Sequence, residues 1–173
     1  PTDYCNAYVR EVLLKEADHF ASTYKDTPGV LMYMLGNENN YGLFWEGAET
    51  DDIPVADSLP TKEARCMYEL MNEAILRMKA IDPLRPVAIC NGDLLFLDIM
   101  AEACNDADIL GINCYRGDSF DVLFQDVKER YAKPVLFTEF GADALNAVTK
   151  RVAQKEQAAI VLNNWQEIYL NAA

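Results

Sequence analysis

Residues 31–42 read LMYMLGNENNYG, an apolar run of strand length that stops abruptly in Gly-Asn-Glu-Asn-Asn-Tyr-Gly. Two readings compete for it. It is either a polar turn capping a buried strand, or a strand that carries a reactive acid, Glu38, among amides at its tip. Upstream, residues 4–25 place Val9, Val12, Leu13, Ala17, Phe20 and Ala21 at helical spacing, and Thr27-Pro28-Gly29 breaks that pattern just before the run. Downstream, residues 62–80 form a strong amphipathic pattern with Ala64, Met67, Tyr68, Met71, Ile75 and Met78 on one side, stopped by DPLRP at 82–86.

The alternation continues to the end of the chain. VAIC at 87–90 starts a second strand and a helix is expected around 94–104. ADILGINCY at 107–115 holds a third strand, followed by a helix around 119–131. KPVLF at 133–137 holds a fourth, and 150–170 is the last helix. Unbroken apolar strands alternating with amphipathic helices imply parallel strands covered by helices. The expectation is one α/β unit over residues 1–173, with strands at about 30–36, 86–91, 108–113 and 134–138. Such a unit suits a doubly wound sheet or a section of a (β/α)8 barrel, a full barrel needing about 250 residues.

Each expected strand ends in polar groups on its carboxyl side, where parallel-sheet folds bind ligands: Asn37 and Glu38, Asn91 and Asp93, Asn113 with Tyr115 and Arg116, and Glu139. Glu38 and Glu139 stand out, because a short turn is served better by Asp, Asn, Ser or Gly. Two carboxylates facing each other over a cleft can divide labour, one donating a proton and the other attacking as a nucleophile. That is the apparatus of glycosidic cleavage with retention, at a carboxyl separation of roughly 5–5.5 Å.

Composition narrows the partners. The 173 residues are 51% apolar and 25% charged, with a net charge of −13, which disfavours nucleic acid and anionic membrane surfaces. No apolar stretch approaches the roughly 20 residues of a membrane span. The chain opens PTDYCNAYVREV without Met or a signal peptide, as expected of a piece of a longer protein, and the sequence assigns no location. The five cysteines, Cys5, Cys66, Cys90, Cys104 and Cys114, lack CxxC spacing and are expected to be buried free thiols, which favours a reducing compartment. The one histidine, His19, reads as a helix-surface residue, so triads and multi-histidine metal sites are disfavoured; no cofactor and no metal is expected.

LGNENNYG at 35–42 and KPVLFTEFGADAL at 133–145 resemble the acid/base and nucleophile segments of retaining glycoside hydrolases with (β/α)8 barrels, clan A, and most closely family 2 of the β-galactosidases, β-glucuronidases and β-mannosidases. ILGINCYRG at 109–117 is similar to that family's sixth-strand segment. The resemblance implies that Glu38 is the general acid/base and Glu139 the nucleophile, that Asn37 contacts the sugar 2-hydroxyl, and that Tyr115 orients Glu139. It would place the chain between the third and seventh helices of a barrel, with the first three strands, the eighth strand and the family's β-sandwich domains lacking counterparts. Two unpaired sheet edges would then remain, so the chain is expected to associate with another copy or to be marginally stable.

Further candidates lie around this pair. Residues 37–61 are long for a βα loop, and Phe44 and Trp45 within them suit stacking on a sugar ring as well as they suit packing on the rim. Glu46, Glu49, Asp51 and Asp52 read as a solvated acidic turn without EF-hand spacing. Asn91, Asp93 and Arg116 suit contacts to sugar hydroxyls, and a salt bridge between rim loops explains Asp93 and Arg116 equally well. Asp143 and Lys150 read as capping or surface charges. The alternatives to a hydrolase are a transglycosylase using the same glutamates, an inactive or carbohydrate-binding barrel relic, and an unrelated nucleotide binder. The last is opposed by the lack of GxGxxG and GxxxxGK[ST] motifs.

Overall fold

The computed structural model describes residues 2–44 and 59–172. Helix α1, Ala7–Tyr24, starts at Asn6, whose side chain accepts from the Tyr8 and Val9 amides, and it buries Leu14, Ala17 and Ala21 on one face. Arg10 fastens it to α2, Leu59–Ile81, by donating to the Cys66 carbonyl at 3.0 Å and pairing with Glu73 at 3.3 Å.

Cys5 and Cys66 form a disulfide beside this clasp, which corrects the expectation that all five cysteines are free thiols; Cys90, Cys104 and Cys114 are free and buried. The partners are 61 residues apart in sequence, and only the packing of α1 on α2 brings them together. In the chain-entropy picture, closing a loop of that length contributes about 4 kcal/mol through the unfolded state.

Strands β1 Tyr33–Leu35, β2 Val87–Gly92, β3 Ile109–Cys114 and β4 Val135–Phe140 form one parallel sheet in the order β1-β2-β3-β4, so each strand follows its neighbour by way of a helix. The expected α/β alternation is what the chain adopts. The intervening helices are α2, α3 Leu97–Ala103 and α4 Leu123–Arg130, and α5 Gln154–Asn171 closes the chain. A hairpin of two-residue strands, β5 Leu145–Asn146 and β6 Arg151–Val152, precedes α5.

Strand parity sorts the side chains. Tyr33, Val87, Ile89, Leu110 and Ile112 are buried with Met67, Ile75, Met78, Leu97, Met100 and Leu123 of the helices, and this layer is the core. The other face carries Met34, Cys90, Gly111 and Asn113. A side chain at Gly111 would meet the Met34 methyl at 3.3 Å and the Ile89 carbonyl at 2.6 Å, so this position must stay bare.

Two bounds differ from the sequence reading. The apolar run at 30–36 yields a strand of only three residues, because Leu31 is 80% exposed and its apolar character does not mark burial. In β4, the ladder to β3 slips by one residue between Ile112 and Asn113, so that Asn113 faces Glu139 and Thr138 becomes the extra residue of a bulge. Trp45, the Phe44 side chain, Glu46, Glu49, Asp51 and Asp52 lie outside the described residues.

Candidate active site

The tip of β1 explains its own composition. Gly36 holds φ 75°, and a side chain there would collide with the Asn39 Oδ1 at 2.2 Å. Asn39 uses that oxygen to accept from the Asn37 amide at 2.8 Å, and its amide donates to the Tyr4 hydroxyl at 3.0 Å. Asn40 is fully buried and acts like one residue of a strand. Its Oδ1 accepts from the Gly92 amide at 2.8 Å, and its Nδ2 donates to the Gly92 carbonyl at 2.7 Å. Asn39 and Asn40 therefore serve the backbone, and Glu38 itself, with φ 54°, is held at the tip just before them. Its own amide donates to the Cys90 carbonyl at 3.1 Å.

Asn113 joins the strand tips. Its Nδ2 donates to Glu38 Oε1 at 3.1 Å and to Asn37 Oδ1 at 3.1 Å. Its Oδ1 accepts from the Thr138 hydroxyl at 2.5 Å and lies 3.5 Å from the Cys90 sulfur. One strand over, Tyr115 donates its hydroxyl to Glu139 Oε2 at 2.9 Å. That bond, with burial and the charges of Glu139, Glu38 and Asp143, raises the phenol above its ordinary range. Tyr115 therefore stays a donor at neutral pH, and the charge of Glu38 acts on it together with that of Glu139.

Asp93 and Arg116 form the ion pair that was one of their two readings. Arg116 donates to both Asp93 oxygens, at 2.5 and 2.8 Å, and Asp93 adopts φ 44°. Hydrogen bonding to Asp93 raises the Arg116 guanidinium further still. Tyr41 lies close over Gly92, where an added Cβ would come within 2.3 Å of its ring. Burial, then the charges of Asp93 and Glu38, push its phenol up to about 12. The Cys114 thiol is likewise pushed up to about 12 by burial and Asp93.

The structure thus brings together Asn37, Glu38, Tyr115, Glu139, Asp93 and Arg116 at one end of the sheet. Asn91 goes elsewhere. It pairs in register with Ile112, faces the helices, accepts from the buried Tyr68 hydroxyl at 2.5 Å and donates to the Asp93 carbonyl at 2.7 Å. Sequence reasoning noted Asn113 as a strand tip without giving it a role, and did not single out Cys90, Thr138 or Asn40. Parity was the available signal for the first of these, since positions 111, 113 and 115 fall on one side of a strand.

No described group of three or more His, Cys, Asp or Glu residues has the arrangement of a metal site. A cavity of about 670 Å³ lies beside the rim, lined by Tyr41, Asp93 and Arg116 among others.

No protein-family model and no curated protein matches the chain. Solved structures do. A GH2 β-galacturonidase from Eisenbergiella tayi bound to galacturonate aligns with 95% of this chain and 28% of its own, at TM-score 0.64 and 17% identity. A GH2 β-galacturonidase from the same organism bound to glycerol aligns at TM-score 0.63 and 16% identity, over 94% and 27%. A β-D-glucuronidase from Dictyoglomus thermophilum aligns at TM-score 0.52 and 17% identity, over 88% and 26%. The likeness shows the fold, that of part of a glycoside-hydrolase chain, and this chain spans about a quarter of the length of those structures.

Proposed function

We propose that the chain is a catalytic section of a glycoside hydrolase that cleaves β-glycosidic bonds with retention. The observation that carries this is the meeting of two strand-tip glutamates around Asn113, one of them held by a phenol donor. In this reading Glu139 attacks the anomeric carbon as the glycosidic bond breaks, and Glu38 gives its proton to the departing oxygen. Glu38 then takes a proton from water as that water displaces Glu139, restoring both carboxyls. Tyr115 keeps the Glu139 carboxylate oriented and releases it to the sugar, and Asn37 is left to face the 2-hydroxyl. Trp45, Asp93 and Arg116 are proposed as rim contacts to the sugar. The engaged amide of Asn91 leaves it a supporting role. Uronides are the first substrates to try, since the structural neighbours include a β-galacturonidase and a β-glucuronidase.

The test is a panel of aryl β-glycosides of glucuronic acid, galacturonic acid, galactose, glucose and mannose, with 2-deoxy-2-fluoro analogues as traps. Turnover abolished by Glu139→Gln, and a mass increment on the Glu139 peptide, are the expected results. Turnover unchanged in Glu139→Gln removes it as the nucleophile. The chain spans 26–28% of its neighbours, and the second reading is a fold that binds sugar without turning it over. Saturable sugar binding with no trapped intermediate would select it. Transglycosylation by the same pair would appear as products longer than the substrate.

A further inference from the structure

We infer that Asn113 is the positioning residue of the Glu38 carboxyl, an inference that rests on the glycosidase reading for what that carboxyl does. Asn113 is 2% exposed, and its amide has two N–H donors and one oxygen with two lone pairs. Both donors are spent, on Glu38 and Asn37, and the oxygen takes the Thr138 hydroxyl with the Cys90 thiol beside it. The orientation has one solution. Turning the amide over would aim its oxygen at the Glu38 carboxylate and at the Asn37 oxygen, leaving acceptors facing acceptors at a half-buried strand tip.

The position of Asn113 in the sheet makes the arrangement more than local. It sits where the β3–β4 ladder slips, so Thr138 is the inserted residue and Glu139 comes opposite the Asn113 backbone. The bulge thus supplies the hydroxyl that locks the amide and, in the next residue, the second carboxylate. Through its side chain Asn113 fixes where Glu38 points, and through its backbone it fixes the register of the strand that carries Glu139. Among the described residues, Asn113 is the side chain that donates to the Glu38 carboxylate. Its loss frees Glu38 to leave the line between proton and leaving oxygen, while Glu139 keeps its bond from Tyr115.

The consequence is a defect confined to proton transfer. In Asn113→Ala, kcat/KM for phenyl β-glycosides, whose leaving group needs the proton, falls about 10–100-fold, a large part of what a general acid supplies. For 2,4-dinitrophenyl β-glycosides, which leave unprotonated, it falls less than about 3-fold on the same reasoning. Thr138→Val, which removes the lock and keeps the amide, shows the same split at smaller size. Equal losses on both leaving groups would mean a merely structural residue and overturn the inference.

A second measurement does not depend on turnover. The Asn113 side-chain amide signals in a 15N-labelled chain should shift in Glu38→Gln and stay put in Glu139→Gln. Signals indifferent to Glu38→Gln would overturn the positioning role even in an active enzyme. A wild-type chain inactive on every glycoside would count against the glycosidase reading, with the amide signals still deciding whether Asn113 holds Glu38.

Discussion

Glu38 occupies the left-handed backbone region at φ 54°, a conformation that disfavours a side chain with a Cβ by about 1–2 kcal/mol. The residue persists there because its neighbours fix the turn on both sides, Asn39 on the Asn37 amide and Asn40 on both backbone groups of Gly92. Asn40 is the costly one to lose. Asn40→Ala leaves the buried Gly92 N–H without its acceptor and the carbonyl without its best donor, so it should destabilise the chain by about 2–4 kcal/mol. Asn40→Asp should be at least as damaging, since it keeps the acceptor but buries a charge. Chemical denaturation of both variants checks this, and an Asn40→Ala chain within 0.5 kcal/mol of wild type, about the scale of an ordinary surface change, would refute it. Which residues were legible follows from the same geometry. Glu38, Glu139 and Tyr115 announce themselves as acids and a phenol at the ends of apolar runs. Asn91 and Asn113 look alike in sequence, yet one turns into the core and the other into the site, because in β2 the site-facing position belongs to Cys90. Parity separates them only once the last ladder pair of each strand is known, and a bulge changes that by one residue.

At the scale of elements, the join between α2 and β2 is a hub. Arg85 donates to the carbonyls of Lys25, Thr27 and Val30 and pairs with Asp82, which also accepts from the Tyr33 hydroxyl at 2.7 Å. Burial opposes the charge of Asp82, but the bonds from Tyr33, Arg85 and the Leu84 amide outweigh it and hold the carboxyl below its usual range. Asp108 is held low in the same way, its burial outweighed by Lys79 and the Val87 amide, and this ties α2 to β2 and β3. Both groups have folded pKa values below their unfolded ones. The stability they contribute is present at neutral pH and down to the unfolded carboxylate range near pH 4, and is lost as pH falls below it. Thermal melts should change little between pH 7 and 5 and drop between 4 and 2, and Asp82→Asn should flatten that drop. An equal melting temperature at pH 3 and pH 7 would contradict the linkage. None of this was legible in DPLRP, which reads only as a helix stop. The disulfide was equally hidden, because the pairing of Cys5 with Cys66 is a property of helix packing and not of spacing.

For the whole molecule, the alternation of apolar runs and amphipathic helices was enough to give the α/β class with four parallel strands, but not their order, because a doubly wound sheet and a barrel section share that alternation. Two unpaired edges were expected from the resemblance to a section of a barrel. β1 pairs only with β2, and β4 only with β3, so the described sheet has two open edges. The flanking helices are apolar on their outer sides: Val12, Leu13 and Phe20 of α1 are exposed, as are Leu162, Trp165 and Tyr169 of α5. α5 is docked largely through polar groups, Asn164 on the Gly117 carbonyl, Glu167 on the Phe120 amide and Gln157 on the Ala142 carbonyl, which leaves its apolar positions outward. Open ladders and apolar flanks favour association, while a net charge of −13 on each copy opposes it. These two forces respond oppositely to salt. Raising ionic strength from 0.1 to 1 M shortens the screening length from about 10 to 3 Å and leaves apolar burial and strand pairing in place. We therefore predict that this chain self-associates in a concentration-dependent way, and that salt strengthens the association. Light scattering coupled to size exclusion at both ionic strengths is the measurement. Association that weakens in salt would assign the contact to charge, and a monomer at high concentration in 1 M salt would show that the edges are protected.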